Sequence, residues 1–188
     1  MGRAINRARF DTALINRQRE WFFLVLDRRA AARAIPDRAA HTGHAGFMLP
    51  PNKIFVIADN IAGDCERSGP RNVPDDFLAR VLIHEMAHVL EYVLLKDQFG
   101  TERFRVEGFA RWFEEYATEG STIIAPGSVA AETNGFVRAR PNERFDPESF
   151  SGSHYDYARS AILFREIVAR RGVAGLMRVY DRMSKGST

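Results

Sequence analysis

The stretch Val81-Leu82-Ile83-His84-Glu85-Met86-Ala87-His88-Val89-Leu90-Glu91-Tyr92 decides how the rest of the chain is read. Its apolar residues recur at helical spacing. Upstream, Pro74 suits a first helical turn, and Asp75 and Asp76 sit where the helix dipole favours negative charge. Phe77, Leu78, Val81, Leu82, Met86, Val89, Leu90, Val93 and Leu94 form a broad apolar surface, so the spacing predicts a mostly buried helix from about Pro74 to Leu95. His84 and His88 are four residues apart, which puts both imidazoles on one face, one turn from each other. Two histidines and a glutamate inside such a helix are costly unless they have a partner to satisfy them.

Zinc is one such partner. Two neutral imidazoles at this spacing can hold one Zn²⁺ at about 2.0–2.1 Å each. Glu85 points to the side of the pair, where it can act as a general base without ligating the metal. This is the H-E-x-x-H pattern of zinc peptidases. The plain alternative is an amphipathic helix with two histidines on its polar edge.

A catalytic zinc needs a third protein ligand and an open position. A histidine six residues after His88 is absent, since position 94 is Leu. Glu107 is the better candidate. The helix runs on about 10 Å from His88 to Leu95, Lys96-Asp97-Gln98-Phe99-Gly100 reads as a turn, and a second helix capped by Thr101 returns about 9 Å to Glu107. An antiparallel hairpin then brings Glu107 level with the histidines, with Phe104, Phe109, Ala110 and Trp112 as its packing. Glu114, two turns further on the same face, suits an outer-shell role, and Glu114 or Glu115 is the competing ligand assignment.

His84-Glu85-Met86-Ala87-His88, then 18 residues, then Glu107-Gly108-Phe109-Ala110, resembles the gluzincin signature of alanyl-aminopeptidase-type enzymes and smaller peptidase-MA-like proteins. The resemblance implies His84, His88 and Glu107 as zinc ligands and Glu85 as general base. Tyr157-Ala158-Arg159-Ser160 looks like that family's downstream segment, which implies Tyr157 as the donor to the tetrahedral oxyanion. Its alternatives are a core tyrosine, or His154 or Tyr155 in the same role. The similarity covers about residues 78–118 and 153–180. The upstream G-x-M-E-N segment that binds a free amine has no counterpart, and Ala58-Asp59-Asn60 follows the apolar strand instead. This favours an endopeptidase over an aminopeptidase.

The remaining chain is read around this core. The 188 residues suggest one domain, 1–188, and an apolar fraction of 45% with 27% charged residues is ordinary for a globular protein. The net charge of +3 is uneven: residues 1–40 hold nine arginines against four acids. They read as a basic helical arm, with Trp21–Leu26 as helix or strand. The arm is taken as a solvated face rather than a nucleic-acid or membrane patch. The lone Cys65 allows no internal disulfide, and no apolar run suffices for a membrane span or signal core. The chain as written reads as soluble and cytoplasmic, or as secreted or periplasmic if a leader was trimmed.

His41 and His44 lie in a Gly-containing loop and read as solvent-facing rather than as a second metal site. Phe47–Leu49 and Lys53–Ala58 flank Pro50-Pro51-Asn52 and read as strand, turn, strand. The second strand is taken as the edge of a substrate cleft. Residues 119–152 read as a long irregular loop. Ser153 caps a third helix that ends at Gly172, and a last helix follows.

The expectation is an α+β fold: a single zincin-like domain with a short sheet on the active helix and the remaining helices C-terminal. The expected activity is peptide hydrolysis with one Zn²⁺ per chain and a peptide or protein as substrate. The alternatives are a regulatory cytoplasmic protease acting on one repressor-like partner, and a non-catalytic basic binding module with a structural zinc.

Overall fold

A computed structural model describes residues 22–35, 44–61 and 74–185. Its elements are strand β1 (Phe22–Leu26), helix α1 (Arg28–Ala34), strands β2 (Gly46–Leu49) and β3 (Lys53–Ile57), and helices α2 (Pro74–Leu95), α3 (Arg103–Thr118), α4 (Ser128–Arg138) and α5 (His154–Ser184). The fold is α+β, as the sequence implies. Residues 1–21, His41 and Cys65 lie outside the described residues, so the basic arm is described only from Phe22, where the strand reading holds.

The sheet order is β1-β3-β2, with β1 parallel and β2 antiparallel to β3. β3 is therefore central and cannot be the cleft edge. Its position explains its unbroken apolar run, with Ile54 and Val56 fully buried. The edge strand on the α2 side is β2. Phe47 faces Phe55 across the ladder and their rings stack at 5.0 Å.

Helix α2 is buried on two sides because its apolar surface is broad. Val81, Leu82, Met86 and Val89 face Met48, Ile54, Val56 and Ile61 of the sheet side. Ala87, Leu90 and Leu95 join Phe109, Trp112, Phe113, Ala161, Phe164 and Tyr180 from α3 and α5. Two glycines set how closely its neighbours approach. A Cβ on Gly46 would lie 2.6 Å from Val81 Cγ1 and 3.1 Å from Glu85 Cγ, so β2 lies directly on the active helix. A Cβ on Gly108 would lie 2.7 Å from Ser160 Cβ, so α3 and α5 cross in close contact next to Glu107 and one turn from Tyr157.

A turn of 3₁₀ helix, Lys96–Gln98, closes the α2–α3 hairpin. Thr101 does not cap α3. Its hydroxyl donates to Gln98 O at 3.1 Å, because the turn leaves that carbonyl open, and Glu102 takes the N-cap position without a side-chain bond. Ser153 does cap α5, in a reciprocal box with Asp156, and Gly172 (φ 64°, ψ 173°) breaks that helix where the sequence predicts its end. Residues 119–152 are not irregular throughout. Helix α4 occupies their middle because Val129 and Thr133 bury one face and Phe136 stacks on His154 at 4.7 Å. Thr133-Asn134-Gly135 are poor helix formers, and packing on α5 overrides their propensity.

One buried ion pair was not legible in the sequence. Glu91, fully buried, accepts from Arg105 Nη1 at 2.5 Å and from the Tyr180 hydroxyl at 2.8 Å. Burial pushes Glu91 up to about 7, with Arg105 opposing. Arg105→Leu leaves this carboxyl without its cation and is expected to cost about 3–5 kcal/mol in a urea titration. A carboxyl whose pKa folding raises favours the folded state when protonated. Arg105 is what opposes that rise, so in the variant the carboxyl is raised further, and part of the loss is expected to be regained on acidification. A pH-independent loss of under about 1 kcal/mol contradicts this account.

Candidate metal centre

His84 and His88 leave α2 on the same side, one turn apart, as the spacing predicts. Their rings are 4.7 Å apart and nearly perpendicular. The α2–α3 hairpin returns Glu107 to their level. Its Oε2 lies 3.2 Å from His84 Nε2 and 3.6 Å from His88 Nε2. Four ligands held at about 2.0–2.1 Å around a tetrahedral ion are roughly 3.3–3.4 Å from one another. One carboxylate oxygen thus sits between two imidazole nitrogens at near the edge length of such a site. His84, Glu85 and His88 each also offer a ligand atom, all within 4.8 Å of one another. Distance alone therefore admits Glu85 as a ligand. Glu107 is favoured because its oxygen faces both ring nitrogens.

Glu114 and Glu115 part company here. Glu114 Oε1 lies 2.7 Å from His84 Nδ1, behind the ring, and its other oxygen accepts from Arg111 at 2.8 Å. It fixes which ring nitrogen of His84 faces Glu107. Glu115 is taken by Arg165 at 2.8 Å and is not part of the centre. Arg111 and Arg80 also meet Glu132, so α4 buttresses the carboxylate that orients His84.

The electrostatics follow from burial and these contacts. Burial alone would lower His84, yet the hydrogen bonds it donates to Glu107 and Glu114 take it up to about 10. His88, with no such hydrogen bond, is lowered by burial to about 4. Burial would raise Glu107 and Glu114, but His84 and, for Glu114, Arg111 hold both at about 2. Glu85 is pushed up by burial to about 8, against the pull of His84. Glu85 Oε2 and His88 Nδ1 are buried without a hydrogen-bond partner. Two histidines and two carboxylates thus share a buried space in which their own contacts satisfy them incompletely. A divalent cation fits that donor set and its charge.

Tyr157 comes from the first turn of α5, which lies across the mouth of the hairpin. Its ring centroid is 6.2 Å from that of His84, and its hydroxyl lies where the Glu107 carboxylate and the Arg103 guanidinium both act on it. Burial and the Glu107 charge raise this phenol above its ordinary range, so it is a neutral donor. The alternatives point elsewhere: His154 stacks on Phe136, and the Tyr155 hydroxyl donates to Glu143 O. The sequence signals therefore converge on one cleft. His84, Glu85, His88, Glu107 and Tyr157 all line it.

The cleft holds about 510 Å³ and its far wall is β2 with the residues beside it, including His44, Met48 and Pro50. These were not read as site residues. Arg103 was missed too, although it stands one turn before Glu107 on α3, a spacing that places both on one face. Compared with known proteins, the chain matches no protein-family model, no curated protein and no solved structure. None of the described helices is long and apolar enough to cross a membrane.

Proposed function

We propose that the chain is a zinc metallopeptidase of the gluzincin type that holds one Zn²⁺ through His84, His88 and Glu107 and hydrolyses peptide bonds within a peptide or protein substrate. The carrying observation is the Glu107 oxygen between the two Nε2 atoms, at 3.2 and 3.6 Å. Bound there, Zn²⁺ would supply Lewis acidity and bring a water molecule's pKa to about 7. Glu85, beside His84 and outside the Glu107 contact, takes the proton of the attacking water and passes it to the leaving amine nitrogen. Tyr157 donates its hydroxyl hydrogen to the carbonyl oxygen as negative charge develops there. Arg111 and Glu114 keep His84 turned toward the cleft. β2, the sheet's edge on this side among the described residues, can add an extended peptide as a further strand.

An endopeptidase is favoured over an aminopeptidase. Glu85 and Glu107 are the carboxylates that line the cleft, and both are committed. Asp59 and Asn60, which stand where an amine-binding segment is missing, instead hold the start of α1: Asp59 accepts from Arg28 N at 2.9 Å and Asn60 accepts from Arg28 Nε. A structural zinc has no use for a carboxyl such as Glu85 beside the first histidine.

The test is incubation of the purified protein with a mixed peptide library, before and after chelation and with zinc restored. Cleavage that chelation abolishes and zinc restores is expected; a zinc-loaded protein that cleaves nothing in the library contradicts the proposal. Tyr157→Phe tests the oxyanion role, since it removes one hydroxyl and keeps the ring against His84 and Phe150. It is expected to lower kcat by about 10²–10³-fold with little change in KM. Zinc content is expected to stay at the parent's level. Full activity in Tyr157→Phe assigns the donor elsewhere.

A further inference from the structure

The proposed chemistry leaves one charged group of the cleft without a task. Arg103 is the one lysine or arginine among the described lining residues. Its side chain is partly shaped by α5 and the segment before it. The guanidinium lies 5.5 Å from the centroid of the Phe150 ring. Its Nη2 is 2.9 Å from where a Cβ on Gly152 would stand, a position whose φ of 81° favours glycine. Its charge also acts on the neighbouring Tyr157 hydroxyl. The guanidinium is thus placed beside a ring, a bare backbone turn and the proposed oxyanion donor. It makes no ion pair among the described residues, whereas Arg80, Arg105, Arg111 and Arg165 each meet a carboxylate.

A guanidinium has five donors in a fixed fork, and no carboxylate among the described residues takes them up. Arg103 lines the cleft with Glu107 and Tyr157, next to the place where the peptide bond would be cut. The cleft's carboxylates, Glu85 and Glu107, are matched by the histidines and the proposed zinc, so Arg103 is the cation of the wall left to receive an anionic substrate group.

We propose that Arg103 is a specificity residue that receives a carboxylate of the substrate close to the cleavage point. This rests on the peptidase reading above. Two sources share that chemistry: the carboxyl terminus of the substrate chain, and an aspartate or glutamate side chain beside the cut bond. A carboxylate can take two parallel N–H···O bonds from the fork without displacing the Phe150 contact.

The experiment reads binding by calorimetry with the full, zinc-loaded chain and short N-acetylated peptides in matched pairs. One pair differs in a free carboxyl terminus against an amide. The other has both ends blocked and differs in Asp against Asn at one internal position. In the parent, one pair is expected to show about a 10-fold preference for its charged member, the low end for hydrogen bonds to a charged group at a solvated site. The pair that responds identifies the source. The preference is expected to vanish in Arg103→Met and to survive in part in Arg103→Lys. A role confined to holding the Phe150–Gly152 segment would change Tm and leave the preference intact. If Arg103→Met does not fold cooperatively, Arg103→Gln is measured in its place.

Equal binding within both pairs, or a preference that persists without Arg103, overturns this assignment alone, because peptides still bind and are cut. A parent that neither binds nor cuts any of the peptides overturns it together with the peptidase reading.

Discussion

A Glu85→Gln protein is expected to bind zinc as the parent does and to hydrolyse peptides about 10²-fold or more slowly. The side chain leaves α2 beside His84 and is almost fully buried under β2, where only a glycine fits: a Cβ on Gly46 would stand 3.1 Å from Glu85 Cγ. Glutamine has the same shape, so that packing should survive and Tm should stay near the parent's. What is lost is the ability to take a proton. Glu85 Oε2 is buried and unpartnered, and no other carboxyl in the cleft is free to replace it, since Glu107 is engaged by both histidines. Metal content and activity must therefore separate in this variant. Zinc-loaded Glu85→Gln with parental hydrolysis would falsify the role of general base, and loss of zinc in the same variant would make Glu85 a ligand.

Glu107→Ala is expected to have the largest effect on the metal. Two imidazoles on one helix supply two of the three protein positions a catalytic zinc needs. Removing a ligand should weaken zinc binding by more than the roughly 10–100-fold that follows loss of an outer partner. Glu114→Ala supplies that comparison directly. Glu114 touches His84 Nδ1 and Arg111 and not the space between the Nε2 atoms. The expected order of zinc affinity is parent, then Glu114→Ala, then Glu107→Ala, read by competition with a chelator of known affinity. Reversal of the last two would move the ligand role to Glu114.

Much of this centre follows from spacing within one helical hairpin. His84 and His88 are an i, i+4 pair, the turn at Lys96–Gly100 is short, and Glu107 returns by simple rise per residue. Gly172 marks the break in α5, and Pro50-Pro51-Asn52 marks the β2–β3 turn. Tyr157 was reached by resemblance, and its position over Glu107 depends on the close α3–α5 crossing at Gly108 and Ser160, which no local pattern encodes.

The features that escaped the sequence are non-local. The placing of β3 between β1 and β2 depends on a parallel pairing across about 30 residues of chain, which apolar pattern alone does not order. Helix α4 gains its stability from packing on α5 and from Glu132 meeting Arg80 and Arg111, not from the helix propensity of its residues. The Glu91–Arg105–Tyr180 cluster joins residues up to 89 positions apart. Glu91 looked like an ordinary helical acid only because its partners are distant.

The central claim is that His84, His88 and Glu107 hold a zinc ion and leave one position open. The most direct measurement is zinc X-ray absorption on the dialysed parent protein together with its metal content. The account predicts about one Zn²⁺ per chain, with a first shell of nitrogen and oxygen only, two of them imidazole, and with the Glu107→Ala spectrum lost or altered. A protein that retains no zinc after dialysis, or a first shell closed by four protein ligands or containing the sulfur of Cys65, would contradict it.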